Sequence, residues 1–232
     1  MKMYKNKKIL AVILARSGSK GIRNKNIIKI KKKPLINYTS ELINKIKIFD
    51  KAIISTDSKK FQKVVSKDNI KSPFLRSKKL SRSNVPDDIC LLDALKKSEL
   101  FFGEKFDYVV SLPPTSPLRT KQDVILSIKK CVDKKLDSVW TVSKVDSKYH
   151  PLKSMKLLNN KLTFFLKEGS KIIRRQQLSE TYIRNGNSYV VNALFLKKKK
   201  KIISKNSGAI IVKSNQISID TLQDIKSIKK FI

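Results

Sequence analysis

Directly after the apolar run 9–14, the sequence reads Ala15-Arg16-Ser17-Gly18-Ser19-Lys20-Gly21-Ile22-Arg23-Asn24-Lys25-Asn26. Small residues, hydroxyls and cations are crowded into one short loop. A backbone that wraps a polyphosphate needs glycines, which bare its amides and remove a Cβ clash. It also needs cations to neutralise the bound charge. Arg16, Lys20 and Lys25 offer three of them. Arginine presents a bidentate fork to phosphate, and lysine a point charge. The spacing is neither the G-x-x-x-x-G-K-[ST] loop nor the dinucleotide G-x-G-x-x-G. The other reading of such a loop is a solvated turn, where Gly, Ser and Lys are common.

The elements around this loop alternate. Apolar runs at 9–14, 52–55, 108–112 and 138–142 read as strands, and amphipathic stretches at 35–46, 59–68, 87–100 and 122–134 read as helices. Asp57-Ser58 supplies an N-cap before one helix, and Pro86-Asp87-Asp88 opens another. Alternation of this kind predicts an α/β fold, a mostly parallel sheet flanked by helices on both faces. Ligands of such sheets bind beyond the carboxyl ends of the strands, which is where the loop at 15–26 falls. From about 143 to 182 the rhythm breaks. Leu157-Leu158-Asn159-Asn160-Lys161-Leu162 reads as a hairpin with an Asn-Asn turn, inside a segment inserted into the sheet. The βα rhythm resumes with strands at 188–195 and 209–212 and a last helix after Asp220.

Composition bounds the function. The chain has 232 residues, enough to bury a substantial core in one domain, and a net charge of +35. Such charge ordinarily points to nucleic acid or an anionic membrane. Here the lysines are spread along the whole chain among many Ile and Asn, and aromatics are not interleaved with them as in a stacking platform. A compositional bias is the better reading, with no specific nucleic-acid or membrane partner expected. The one dense block, 197–201, is expected to be a solvated loop or helix end. Cys90 and Cys131 stand far apart, and with one histidine they make no evident zinc site. The apolar run 9–14 is too short for a signal peptide core or a membrane span, so a reduced, cytoplasmic protein is expected.

Several motifs follow one another in order: the loop at 15–26, Ser55-Thr56-Asp57, Pro114-Thr115-Ser116-Pro117-Leu118-Arg119, Arg175-Gln176-Gln177, Asn185-Gly186 with Tyr189, and Ile219-Asp220-Thr221. The ordered series, covering nearly the whole chain, resembles the acylneuraminate cytidylyltransferases, or CMP-N-acetylneuraminic acid synthetases. That family transfers CMP from CTP to the anomeric hydroxyl of a nine-carbon 2-keto acid sugar and releases pyrophosphate. The resemblance implies a Rossmann-like nucleotidyltransferase fold in one cytidylyltransferase domain, 1–232, with about 143–182 as a small inserted dimerisation and sugar-binding region. It implies a homodimer that exchanges this region between partners.

On matching positions, the resemblance implies that Ala15, Arg16, Ser17, Gly18, Ser19, Lys20, Lys25, Asn26, Arg76, Thr115 and Ser116 bind the nucleotide. Arg16, Lys20 and Lys25 would carry catalysis by stabilising the departing pyrophosphate. Lys153, Arg175, Gln176, Asn185 and Tyr189 would meet the acid sugar, Arg175 through its planar fork on the carboxylate. Asp220 would hold Mg²⁺ on the triphosphate, or cap the last helix, or both. Arg119 lines the pocket or is a structural arginine paired with a carboxylate. His150 orients structure or substrate in preference to acting as a base.

The sequence departs from the pattern in four places. Ser218 stands where the family commonly has a second aspartate, Pro113 where it has a glutamine, Arg23 where it often has a proline, and Asp87 and Asp88 where many members carry small hydroxyl residues. The expected function is CMP transfer from CTP to a sialic-acid-like nonulosonate for surface glycan synthesis. The rivals are the same transfer to legionaminate, pseudaminate or Kdo, a degenerate nucleotide binder without turnover, and a basic nucleic-acid-binding protein.

Overall fold

The structure, a computed structural model, describes residues 4–19, 21–66, 70–213 and 216–232. In chain order its elements begin with β1 (Ile9–Leu14), β2 (Lys29–Ile30), β3 (Lys33–Pro34), α1 (Leu35–Asn44), β4 (Lys51–Ser55) and α2 (Lys59–Ser66). There follow α3 (Asp87–Phe102), β5 (Tyr108–Ser111), α4 (Lys121–Asp133), β6 (Ser138–Lys144), β7 (Met155–Leu158) and β8 (Lys161–Phe164). The chain then forms β9 (Tyr182–Asn192), α5 (Ala193–Lys199), β10 (Ser207–Ile211) and α6 (Leu222–Ile228).

Six strands make the main sheet in the order β10-β6-β9-β5-β1-β4. Every neighbouring pair is parallel except those made by β9, which runs antiparallel to both β5 and β6. The expected α/β sheet is therefore present. The strand expected at 188–195 is displaced, because Asn192 caps α5 by accepting a hydrogen bond from the Phe195 amide at 3.0 Å and ends the strand there.

Both faces of β1 are buried. Ile9, Ala11 and Ile13 pack with Ile36, Phe61, Val124 and Ile128 of the helices on one side. Leu10 and Val12 pack with Leu91 and Leu95 of α3 and Leu196 of α5 on the other. Such two-sided burial explains why the strand reads as a continuous apolar run. A third cluster, with Ile22, Ile30, Leu35, Ile219, Ile225 and Ile228, ties the segment after β1 to α6. Each such side chain contributes about 1.5–3 kcal/mol when removed from water, and together they fix the Asp220 turn beside the loop at 15–26.

β6 and β9 continue as a ribbon to Lys144 and Tyr182, and the segment between them leaves the sheet. There β7 and β8 form a hairpin around Asn159 and Asn160, both with positive φ, the left-handed pair that a tight two-residue turn requires. The hairpin expected at 157–162 is present. Its strands are exposed along their length.

The lysine block closes α5. Lys197, Lys198 and Lys199 sit in its last turn, where cations favour the helix dipole, and Lys200 adopts the left-handed conformation. Lys197 is not simply solvated, because it reaches the buried Glu99 at 2.6 Å.

Candidate active site

β1, β4 and β5 all point their carboxyl ends at one cleft of about 480 Å³. Its walls include Leu14 at the end of β1 and Pro113, Pro114 and Thr115 just after β5. Of the nucleotide-binding candidates, Arg16, Ser19, Lys25, Asn26, Arg76 and Thr115 line this cleft, and so does Asp220. Lys20 lies outside the described residues.

Three contacts hold the loop. The Ala15 amide donates to the Ser55 carbonyl at 3.1 Å, continuing the β1–β4 pairing. The Asp57 carboxylate accepts from the Ser17 amide at 2.8 Å and from the Ser17 hydroxyl at 2.7 Å. The Asn26 side-chain amide, buried, donates to the Arg16 carbonyl at 3.0 Å. Asp57 is thus turned toward the loop, and Ser58 alone faces the first turn of α2, accepting from the Phe61 amide at 3.4 Å. Ala15, Ser17 and Gly18 do not line the cleft; Ala15 is buried, and Gly18 has open space where a side chain would be.

Lys25 and Asp220 face each other at 2.7 Å, the lysine side chain 16% exposed and the carboxylate 67%. Ser218 donates its hydroxyl to the other oxygen of Asp220 at 3.2 Å. Gly21 makes room for this meeting: a Cβ there would lie 2.9 Å from the Asp220 carbonyl oxygen. The helix-cap reading of Asp220 does not hold. Thr221 caps α6 and Asp224 completes the capping box, accepting the Asp220 and Thr221 amides at 2.9 and 2.7 Å. The Asp220 carboxylate is left to face the loop. Among the described residues no group of three or more His, Cys, Asp or Glu side chains is placed to hold a metal.

Arg76 and Asp87 also line the cleft. Arg76 is 5% exposed; its amide donates to the Thr56 carbonyl at 2.8 Å and its Nε to the Ser81 hydroxyl at 3.2 Å. Asp87 opens onto the cleft and is exposed to solvent there. Partial desolvation by the surrounding protein raises its pKa, outweighing the opposing pull of Arg76, Arg184 and Arg16.

Two expectations are corrected by the ground behind Thr115. Ser116 does not line the cleft; it is 2% exposed and donates to the Asn185 carbonyl at 3.4 Å. Arg119 is buried and pairs with no carboxylate among the described residues. Its guanidinium donates to the carbonyls of Asn187, Pro113 and Gly186 and to the Thr39 hydroxyl. The reason is a bulge: on β6 only Thr141 stands opposite 185–188 of β9, which frees the Gly186 and Asn187 carbonyls from the ladder. Burial pulls Arg119 down to about 9, so it stays charged at neutral pH. Gly186, at φ 73°, and Ser116 pack together in this knot.

The sugar-binding candidates divide. Asn185 and Tyr189 lie on β9, Asn185 donating to the Ser143 hydroxyl at 3.1 Å and Tyr189 packing edge-on to Trp140 at 4.8 Å. Lys153, Arg175 and Gln176 lie on the inserted region, exposed, and none lines the nucleotide cleft. Arg175 instead borders a separate hollow of about 440 Å³ with Lys144, Asp146, His150 and Glu180. His150 is 4% exposed; its Nδ1 accepts from the Leu152 amide at 3.1 Å, which assigns the proton of the neutral ring to Nε2. That fits a structural role and removes Nδ1 as a base.

Sequence reasoning missed Arg82 and Ser83, which line the cleft. It also missed the pull of Arg184 on Asp87 and Tyr189. In so basic a chain nothing marks these arginines apart. The clamp by Asp57 was within reach, since a carboxylate directly after β4 lies beside whatever follows β1.

The chain is 28% identical to the pseudaminic acid cytidylyltransferase of Campylobacter jejuni over 96% of its own length and 95% of the relative's. It is 29% identical to the CMP-N,N'-diacetyllegionaminic acid synthase of the same species, covering 97% and 94%. It is also 29% identical to the N-acylneuraminate cytidylyltransferase of Escherichia coli, covering 94% of this chain and 51% of that protein. Among solved structures, a CMP:2-keto-3-deoxy-manno-octonic acid synthetase complexed with CTP shares the fold at a TM-score of 0.74. Its sequence is 15% identical, with 97% of this chain and 98% of that one covered. The family model for cytidylyltransferases matches residues 10–203, and the chain belongs to that family of nucleotidyltransferases.

Proposed function

We propose that this enzyme transfers CMP from CTP to the anomeric hydroxyl of a sialic-acid-like nonulosonate. The observation that carries the reading is that Arg16, Lys25 and Asp220 line one cleft beyond β1 and β5, with Lys25 paired to Asp220 and the loop held by the Asp57 clamp. The triphosphate lies along the loop at 15–26. Arg16, Lys20 and Lys25 neutralise charge as it builds on the leaving group. The sugar oxygen attacks the α-phosphorus in line. A new P–O bond forms, the α–β anhydride bond breaks, and pyrophosphate leaves with the bonding pair. The hydroxyl proton passes to solvent. Alignment and preorganised cations supply most of the rate.

A divalent cation, Mg²⁺ by its habit of binding one or two carboxylates and phosphate oxygens, fits Asp220. The carboxylate is exposed and aimed at the phosphate loop, with its capping duty taken over by Asp224. When bound, the ion screens the triphosphate and orients it. Ser218 can add a neutral oxygen beside it.

The acceptor class follows from relatives named for three nonulosonates at 28–29% identity. Asn185 and Tyr189 stand on β9 near the cleft, and Lys153, Arg175 and Gln176 are supplied by the inserted region of a second copy. Two features favour such a homodimer. A lone two-stranded hairpin is marginal in water, and this one exposes Leu157, Leu158 and Leu162, each by more than 60%. No helix of the described residues is long and apolar enough to cross a membrane, which is compatible with the cytoplasmic setting we propose.

Pyrophosphate release with CTP, Mg²⁺ and a panel of neuraminate, legionaminate, pseudaminate and Kdo acceptors tests the reading. Release with one nonulosonate and not with Kdo supports it. Release only with Kdo, or with none, overturns it.

A further inference from the structure

Arg119 puts a charge inside the fold. It is 5% exposed, and no carboxylate among the described residues pairs with it. Burying such a guanidinium is costly, and an apolar side chain of similar volume would fill the space without that cost. What the apolar side chain lacks is a planar fork of five donors. Here the fork serves three separate pieces of the fold. Nη2 donates to the Pro113 carbonyl at 2.5 Å and to the Gly186 carbonyl at 3.5 Å, Nε donates to the Asn187 carbonyl, and Nη1 donates to the Thr39 hydroxyl of α1 at 3.2 Å. Pro113 belongs to the floor of the nucleotide cleft. That floor runs on to Thr115, whose carbonyl accepts from the Ile219 amide at 2.9 Å, one residue before Asp220. Ser116 then donates to the Asn185 carbonyl at 3.4 Å. The knot therefore joins the turn that carries Asp220 to the stretch of β9 that carries Asn185 and Tyr189.

We propose that Arg119 is a positioning residue for the transfer step: by holding the cleft floor at Pro113 against β9 at Gly186 and Asn187, it sets the approach of the acceptor hydroxyl to the α-phosphorus. This inference deepens the cytidylyltransferase reading and rests on it for which segments meet CTP and sugar. Arg119 does not line the cleft, so it acts through the backbone that it holds. CTP is gripped mainly by the loop at 15–26, and its binding does not depend on the knot. In-line attack does depend on it, since a misplacement of about 1 Å between reacting groups costs about a hundredfold in rate. Gly186 serves the same end. At φ 73° it offers its carbonyl to Arg119, and a Cβ there would lie 3.1 Å from the Ser116 hydroxyl, pressing on the second tie between floor and strand. A lysine in place of Arg119 keeps the charge but brings no planar fork, so it cannot hold both sides at once.

The experiment measures kcat by pyrophosphate release, the Kd for CTP by calorimetry and the melting temperature, for the parent, Arg119→Lys, Ser116→Ala and Thr39→Val. Arg119→Lys lowers kcat by about tenfold to a hundredfold, while its Kd for CTP stays within about threefold of the parent's, the split of a lost transition-state alignment. Ser116→Ala cuts the second tie between floor and β9, and lowers kcat by about threefold or more with CTP binding likewise kept. Thr39→Val removes the bond that reaches α1 and not β9, so it lowers the melting temperature and leaves kcat within about twofold. A folded Arg119→Lys protein with the parent's kcat overturns the proposal. So does a fall of kcat and of CTP binding in parallel with the folded fraction, or an equal loss of kcat in Thr39→Val, since both mark a merely structural arginine. If Arg119→Lys does not fold, parent-like kcat in Ser116→Ala overturns the proposal, and a fall there with CTP binding intact supports it. A parent that releases no pyrophosphate with any acid sugar sinks the acceptor reading and the positioning role together. A parent that turns over beside variants equally fast sinks the positioning role alone.

Discussion

The Lys25 ammonium lies 2.7 Å from the Asp220 carboxylate, joining the loop after β1 to the turn before α6. The pair brings together a cation suited to phosphate and a carboxylate suited to a metal. On the proposed reading, a metal triphosphate would give each a stronger partner, so the pair would hold both side chains in the cleft without trapping them.

Lys25→Ala is expected to lower turnover by about a hundredfold or more, the cost of about 2.7–4 kcal/mol for losing one aimed donor at the transition state. The melting temperature should barely move, since a partly exposed ion pair contributes at most about 1 kcal/mol. Pyrophosphate release beside a thermal melt measures both. Near-normal turnover in the folded variant removes Lys25 from the mechanism.

Asp220→Asn is expected to shift the Mg²⁺ titration of activity to higher concentration, and Ser218→Ala to shift it much less. Asp220 carries the charge and meets Lys25 of the loop with one oxygen, whereas Ser218 is neutral and only donates to the other. A Ser218→Asp variant adds a second carboxylate and should move the midpoint to lower Mg²⁺. If Asp220→Asn titrates like the parent, the carboxylate does not bind the ion.

Asp57→Ala should raise the KM for CTP by about tenfold or more, because two charge-assisted bonds at Ser17 are lost and the loop must then be ordered by CTP itself. Asp57→Asn should recover most of that loss. Its carbonyl oxygen can still accept from the Ser17 amide, and the Ser17 hydroxyl can rotate to accept from the new NH₂. Steady-state kinetics with CTP varied distinguishes the two. Equal KM values for parent and Asp57→Ala would show that the loop holds its shape without the clamp.

The sheet was legible because β1, β4 and β5 are buried on both faces and bounded by polar turns, a pattern that few alternatives share. The loop was legible from residue types alone, and Arg16, Lys25 and Asp220 do come together. Arg119 was not, since nothing local announces that a bulge on β9 will leave the carbonyls of Gly186 and Asn187 in need of a donor. Ser116 turns away from the cleft onto the Asn185 carbonyl, and its neighbours Thr115 and Pro117 give no sign of which side faces the cleft. Arg175 and Lys153 do not line the nucleotide cleft of their own chain, and a sequence cannot show whether a projecting segment folds back on its own cleft or reaches another.

Asp87 should make stability depend on pH. Although the residue is exposed, partial desolvation in the cleft raises its folded pKa above the unfolded value, and solvent screening keeps the effect on stability small. Its contribution is therefore full below the unfolded pKa, near 3.9 for a free aspartate, and is lost as pH rises through the folded value. Asp87→Asn removes that loss, so the variant should melt higher than the parent at pH 7.5 and no higher at pH 4. Thermal melts at the two pH values check it. A variant that melts lower at pH 7.5 would mean that the nearby arginines outweigh desolvation.

The last prediction concerns which chain completes the sugar site. In one protomer Arg175 borders its own hollow and not the nucleotide cleft. If a second copy supplies it, Lys25→Ala and Arg175→Ala lie in different half-sites of each cleft. Each variant alone should be nearly inactive. Mixed and allowed to exchange subunits, half the dimers become heterodimers, each with one fully intact cleft and one doubly damaged. Activity should return to about a quarter of the parent's, as two-fold symmetry requires. Charged substitutions at Leu157 and Leu162 should abolish this recovery by separating the protomers, which sedimentation velocity would show as a fall to monomer mass. If Arg175 serves its own chain's cleft, every site in the mixture carries one lesion and no activity returns, however well the subunits exchange.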